Sequence, residues 1–146
     1  MSTAYAWAAG IVDGEGSIWI SRSAPRKSKR THNPTYQLVF KVEMTHEKTI
    51  DRLAGLVGGQ VRLRRPKNPA KHRPMYGVLL TDLKAADAVR RLLPYLVTKA
   101  DQARLALKYR EDCARPPGSQ KTPDDVVRRR ESYFHRMAAL NKKGPA

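Results

Sequence analysis

The feature that most constrains this chain is the run Trp7-Ala8-Ala9-Gly10-Ile11-Val12-Asp13-Gly14-Glu15-Gly16, which passes straight into Ser17-Ile18-Trp19-Ile20. Ala8 to Val12 reads as the end of a helix, and the small residues Ala8, Ala9 and Gly10 would let a second helix backbone approach closely. Gly14 and Gly16 are expected to stop that helix, because glycine adopts the left-handed conformations in which helices end. Asp13 and Glu15 are then left at the carbonyl end, the unfavourable side of the helix dipole. Two carboxylates placed there call for a compensating cation, and a metal ion is one answer.

The rest of the chain is read from periodicity. Thr3 can cap the first helix, which runs to about Asp13. Ser17 to Ser23 alternates, with Ile18 and Ile20 on one face and Ser17, Trp19, Ser21 and Ser23 on the other, the period of a half-buried strand. A proline-flanked loop from Ala24 to Thr35 carries Arg26, Lys27, Lys29 and Arg30 with no acid among them. Tyr36 to Val42 alternates again, with Gln37, Val39 and Lys41 outward, and pairs naturally with the first strand as a long-looped hairpin. Ile50, Leu53, Ala54 and Val57 then fall at helical spacing, and Gly58-Gly59 closes that helix. Gln60 to Arg65 makes a third strand with Gln60, Arg62 and Arg64 outward. After a turn carrying Lys67 and Lys71, Met75 to Leu80 makes a fourth. The remainder is helical: Leu83 to Leu93, interrupted by Pro94; Lys99 to Ala114; and a last helix started by Thr122-Pro123-Asp124-Asp125 and running to about Leu140. Residues 142–146 make a frayed basic tail.

The residues Ala8-Ala9-Gly10-Ile11-Val12-Asp13-Gly14-Glu15-Gly16 resemble the nine-residue signature of the LAGLIDADG homing endonucleases, with conservative departures at the first, fourth, fifth, seventh and eighth positions. The order helix, two strands, helix, two strands, helices is similar to one half-unit of that family, so the resemblance extends over nearly the whole chain. It implies an α+β fold of αββαββα order, in which a four-stranded antiparallel sheet carries helices on one face and DNA on the other. The signature occurs once in these 146 residues, so residues 1–146 are expected to form a single half-unit that works as a homodimer.

The charge balance agrees. Twenty-nine lysines and arginines against 13 acids give a formal charge of +16, far beyond what solubility needs. Such an excess implies a polyanionic partner, with nucleic acid first and an anionic membrane second. No apolar run approaches the roughly 20 residues of a membrane span, and the first residues lack the layout of a secretion signal. An intracellular protein is expected, in the cytoplasm or nucleoid or in an organelle. Cys113 is the only cysteine and the four histidines are scattered, so a zinc cluster is improbable. Any metal is held by carboxylates, which favours magnesium.

On the open face of the sheet, alternation places Ser17, Trp19, Ser21, Ser23 and Gln37, then Lys41, Gln60, Arg62 and Arg64. Hydrogen-bonding and cationic side chains on such a ribbon can lie in a major groove, where arginine reads guanine and glutamine reads adenine. Trp19 is the awkward member, since an aromatic there more often packs against its neighbours. Arg26, Lys27, Lys29, Arg30, Lys67 and Lys71 are expected to follow the phosphate backbone. Strands of about 8 residues span roughly eight base pairs, so two copies would read a pseudopalindrome of about twenty.

For the chemistry, the resemblance implies that Glu15 binds the metal together with Gly14, with Mg2+ as cofactor, Mn2+ able to substitute and Ca2+ supporting binding only. Two Glu15 carboxylates at a dyad would repel one another unless divalent cations neutralise them. Close crossing of the two subunits' helices would involve Trp7, Ala8, Ala9 and Gly10. The resemblance also gives Lys99 and Lys48 catalytic positions, where each would stabilise phosphate charge or order water. Asp13 matches the signature's first acid, with a structural part and a catalytic part evenly matched. A family glutamine that organises water falls on Met44, which cannot do that work, unless the register shifts to Glu43 or Thr45. Glu15 favours a metal-dependent, site-specific double-strand DNA endonuclease. Met44 favours the alternative, a catalytically inactive relative that acts as an intron RNA splicing maturase or a transcriptional regulator. His46, in a helix's first turn, reads as surface decoration.

Overall fold

The computed structural model describes residues 2–25, 33–114 and 122–142. Arg26, Lys27, Lys29 and Arg30, the proline-rich break at 115–119 and the tail beyond Lys142 lie outside the described residues. The element order is α1 (Thr3–Glu15), β1 (Gly16–Ser23), β2 (Thr35–Met44), α2 (Glu47–Val57), β3 (Val61–Arg64), β4 (Met75–Thr81), α3 (Asp82–Leu92), α4 (Ala100–Asp112) and α5 (Asp124–Asn141), with a 3-10 turn at Leu93–Tyr95. The four strands form one antiparallel sheet in the order β1-β2-β4-β3. The αββαββα order read from the sequence is the order observed.

The sheet has one apolar face because the alternation is strict on that side. Ile18, Ile20, Tyr36, Leu38, Phe40, Val42, Val78 and Leu80 are all buried there, joined by the α2 stripe Ile50, Leu53, Ala54 and Val57. Each large side chain of this kind stabilises the fold by about 1.5–3 kcal/mol. Helices α3 and α4 bury Ala85, Ala86 and Ala88 and Ala100, Ala103 and Ala106. Side chains that small let the two axes approach closely where the helices pack. Among the described residues no helix is long and apolar enough to cross a membrane.

Several boundaries differ from the sequence reading for local reasons. Ser2 caps α1, its hydroxyl accepting from the Tyr5 N–H at 3.2 Å, and Thr3 is the first helical residue. The helix continues through Gly14 to Glu15, and Gly16 is extended (φ −87°, ψ 167°), so neither glycine is left-handed. Gly16 is there for space: a Cβ on it would lie 2.8 Å from the Val12 carbonyl oxygen and 2.9 Å from Val12 Cγ1. The left-handed glycine is Gly58, at φ 82°, which ends α2. His46 is the α2 N-cap, its Nδ1 accepting from the Thr49 N–H at 3.3 Å, so its role is structural. Gln60 precedes β3, and Lys99 caps α4 without entering it. Asp82 takes a left-handed φ of 50° where β4 turns into α3. Its carboxylate accepts from the Leu38 N–H at 3.1 Å, carrying hydrogen bonding to β2 one step past the end of β4 and offsetting the strain.

The last helix is seated by polar contacts. Glu131 accepts hydrogen bonds from Arg22 and the Tyr36 hydroxyl and also meets His135. The Tyr36 hydroxyl, then Arg22 and His135, hold its carboxyl below the usual carboxylate range against a partial desolvation cost. Arg22 also lies 4.4 Å from the centre of the Phe134 ring. Asn141 Nδ2 donates to the Ile18 carbonyl at 2.8 Å, covering part of the outer edge of β1.

Gly16→Ala is expected to destabilise the chain by about 1–3 kcal/mol, because the contact it creates is with backbone. Gly55→Ala, exposed on α2 with open space around the new methyl, is expected to stabilise it by up to about 1 kcal/mol. Urea unfolding of both variants checks the pair. Equal midpoints would mean that the α1–β1 joint is not tight.

Candidate nucleic-acid interface and acidic centre

The joint between α1 and β1 sets out the first half of the site. The helix ends with Asp13, Gly14 and Glu15, and β1 begins at once with Gly16 opposite Val42. Asp13 is committed to structure. One carboxylate oxygen accepts from the Val97 N–H at 2.9 Å and the other from the Lys99 N–H at 3.0 Å. The Lys99 ammonium returns to the same residue, donating to the Asp13 carbonyl oxygen at 3.0 Å. A cation therefore stands at the carbonyl end of α1, where it offsets the dipole cost of the acids. That part of the argument for a metal is answered by Lys99.

Glu15 is left exposed at the same helix end. The structure thus brings Glu15 and Lys99 together about one helix terminus, with Asp13 as the clamp between them. Lys48 is exposed on the first turn of α2, which follows β2 at this end of the sheet. The donors that Glu15 and the Gly14 carbonyl supply are hard oxygens, the set that suits magnesium. They make only half of such a site: among the described residues no group of three or more His, Cys, Asp or Glu side chains could hold a metal ion.

The small-residue surface of α1 lies elsewhere than the sequence suggested. Ala8 and Ala9 are fully buried in the chain's own core, so their side chains cannot meet a second subunit. Trp7 is half-buried beneath Arg52, whose guanidinium lies 4.5 Å from its ring centre. Gly10 and Gly14 are exposed, with no atom within 4 Å of where a Cβ would stand. They are four residues apart and share one outward stripe with Ala6.

The open face of the sheet is the second half of the site. Ser17, Trp19, Ser21, Ser23, Gln37 and Lys41 stand on the face opposite the core, as their parity required. Arg62 and Arg64 are exposed on β3. Lys67 and Lys71 are exposed in the β3–β4 turn, where with Arg64 and Arg73 they line a basic depression of about 550 Å³. Gln60 is exposed just ahead of β3. The centre of the face is drier than alternation implied: Val39, opposite Trp19, is only 5% exposed, and Trp19 itself is half-buried against the core cluster.

Sequence reasoning ended β2 at Val42, so it named Glu43 only as an alternative to Met44 and did not place it on the open face. The strand runs two residues further, and the same alternation puts Glu43 on the outward face. Its carboxylate pairs with Lys41 Nζ at 2.9 Å and Arg64 Nε at 3.0 Å. Those contacts, Lys41 first, hold its carboxyl below the usual carboxylate range. Met44, the residue after it, is half-buried on the inward side opposite Tyr76 and presents no polar atom to the face.

An antiparallel sheet with helices on one side and a cationic open side, with an acid at its end, is an architecture suited to a polyanion. No family model matches the sequence, and no curated protein matches it. Solved structures do. The homing endonuclease I-CvuI, in complex with DNA, superposes with a TM-score of 0.76 at 21% identity over 97% of this chain and 85% of that one. The archaeal intron-encoded homing endonuclease I-Vdi141I, complexed with DNA, gives 0.73 at 12% identity over 97% and 86%. The LAGLIDADG homing endonuclease I-GzeII, in complex with its DNA target, gives 0.67 at 12% identity; it covers all of this chain, which spans 47% of that protein. The chain has the LAGLIDADG homing endonuclease fold.

Asp13→Ala removes the acceptor of two backbone N–H groups, that of Lys99 part-buried and that of Val97 exposed, and is expected to cost about 1–2 kcal/mol of stability. Glu15→Gln touches no such contact and is expected to change stability by less than about 0.5 kcal/mol. Chemical denaturation of the two variants side by side tests the division. A large loss from Glu15→Gln would move that residue to the structural side.

Proposed function

We propose that this protein is an intracellular, magnesium-dependent endonuclease that makes double-strand breaks at a long pseudopalindromic DNA site as a homodimer. The observation that carries the reading is the exposed Glu15 at the end of α1, beside a lysine already fixed in place and at one end of a cationic sheet face. Of the two acids at this helix end, Asp13 has its carboxylate taken up by backbone N–H groups, while that of Glu15 makes no such contact among the described residues. The fold adds support, because similar structures were solved with DNA, one of them in the presence of magnesium and another in the presence of calcium.

Each part of the chain then has a task. The exposed stripe Ala6, Gly10 and Gly14 lets the α1 helices of two subunits cross closely, which brings two Glu15 side chains towards the dyad. Glu15 and the Gly14 carbonyl of each subunit are the groups that would hold the cation. A divalent cation held there would supply Lewis-acid activation of water and neutralisation of phosphate charge. Lys99, oriented by two contacts to Asp13, puts a positive charge beside that phosphate without needing to reorganise. The serines, Gln37, Lys41, Arg62 and Arg64 face the major groove, while Lys67 and Lys71 fix register through phosphates. Trp19 acts as packing for the face and not as a reader.

Met44 supports a second reading, in which the chain binds nucleic acid without cutting it, as an intron RNA splicing maturase or a transcriptional regulator. A position that in the first reading orders water holds a thioether on the core side.

Incubation with a randomised duplex library in magnesium and in calcium separates the two readings. The endonuclease reading expects cut ends in magnesium alone, defining a pseudopalindrome, and expects Glu15→Gln to abolish them while binding persists. A motif enriched by binding but never cut would leave the second reading standing. Affinity is also expected to fall linearly with salt on logarithmic axes, as released counterions require. Binding that ignores sodium chloride would sink both.

A further inference from the structure

An acid on a surface built for phosphates is repelled by the partner that the surface serves, so Glu43 needs a reason. Among the described residues that alternation places on the open face, it is the one carboxylate. Its surroundings are built to accept it. Gly77 is its cross-strand neighbour on β4, and a Cβ there would come 3.0 Å from Glu43 Cγ and 3.3 Å from the Val42 carbonyl oxygen. The missing side chain opens a depression of about 270 Å³ over β4, with Arg62 and Arg64 on its β3 side and Lys41 and Glu43 on its β2 side. Glu43 is the deepest of the paired groups, its side chain 20% exposed against 40% for Lys41 and 64% for Arg64.

The way in which the pair is made decides what it does. Arg64 reaches Glu43 through Nε, so both terminal nitrogens of the guanidinium remain free of this contact. The second carboxylate oxygen is taken by Lys41. Each oxygen is therefore held by one cation, and the carboxylate is committed first to its two neighbours. What it offers is orientation: a guanidinium held along one edge presents its other edge as a fork, the geometry that guanine O6 and N7 accept together. We infer that Glu43 is a positioning residue for base readout, holding Arg64 from below so that each half-site is read for guanine at one base pair. Because Glu43 lies at the end of the sheet where Gly16 and the acidic helix end stand, that pair belongs to the inner part of the half-site. Neutralisation by Lys41 and Arg64 keeps the acid from repelling the backbone.

This inference rests on the reading of the sheet as a DNA-binding face, and the experiment is chosen to separate the two. The unaltered protein, Glu43→Gln, Arg64→Lys and the double variant are each used to select from a randomised duplex library in calcium, and bound molecules are sequenced. Glu43→Gln is expected to lower the preference for guanine at one inner pair of each half-site by roughly tenfold or more. Preferences at the other pairs hold. Arg64→Lys, which keeps the charge and loses the fork, is expected to relax the same pair. The double variant is expected to be no worse there than Arg64→Lys alone, since the two residues act in series. An unchanged profile for Glu43→Gln, or an equal loss at every pair, overturns the inference and leaves the binding face intact. Relaxation at a pair that Arg64→Lys leaves sharp also overturns it, because Glu43 would then be reading a base itself. Binding by the unaltered protein that falls with salt but enriches no sequence overturns site-specific reading and this inference together.

Discussion

Everything in the structure that bears on function depends on a helix running into a strand with no residue between them. Glu15 closes α1 and Gly16 opens β1, and the turn is possible because nothing but hydrogen stands between Gly16 and the Val12 backbone. A joint that short has few ways to flex. Asp13 removes more by gripping the Val97 and Lys99 N–H groups, so the end of α1 is bound to the start of α4 as well as to the sheet. The position of Glu15 is in this way inherited from core packing on one side and from a backbone clamp on the other. A side chain held this way is placed by rigid elements instead of by a loop.

The sheet divides its work by parity. Residues on one side are apolar and buried, and those on the other carry the charge, so any one-residue slip in register would exchange the two. The exchange is prevented by the depth of Ile18, Leu38, Phe40 and Val78, none more than 1% exposed. The open side borrows some of the same stability. Val39 and the half-buried Trp19 make a dry centre around which serine, glutamine and arginine are arranged. A polar face with an apolar middle keeps its side chains in place better than one made only of long, solvated cations.

Much of this was legible in the sequence, and the exceptions have physical causes. Strand alternation and the α2 stripe are long-period signals, and they gave the element order and the inward residues. The outward residues of the open face followed from the same parity. Local chemistry was harder. Glycine was read at Gly14 and Gly16 for its conformational freedom, whereas at Gly16 its small size was what mattered, and size depends on a neighbour the sequence does not display. Ala8 and Ala9 look like a docking surface in one dimension and are core in three, because the rotation of a helix about its axis is fixed by what packs on it. Glu43 lay one step past Val42, where the reading ended the strand, although Met44 continues the inward alternation. Its partner Arg64 is 21 residues away, and such pairing is invisible until strand order is known. Lys99 was reached only through resemblance, and its tie to Asp13 spans 86 residues.

The outer strands have a bearing on solubility. An exposed strand offers unpaired N–H and C=O groups to any passing chain, and sheets with two free edges tend to polymerise. Here β3 is four residues long and carries two arginines, so a second copy that approached it would meet like charge over a very short ladder. On the opposite side, the Asn141 amide occupies the Ile18 carbonyl and α5 packs along β1. Growth of the sheet by strand addition is thus discouraged at both margins. High concentrations of this protein are therefore expected to stay free of strand-added fibres, despite the dry centre of its open face.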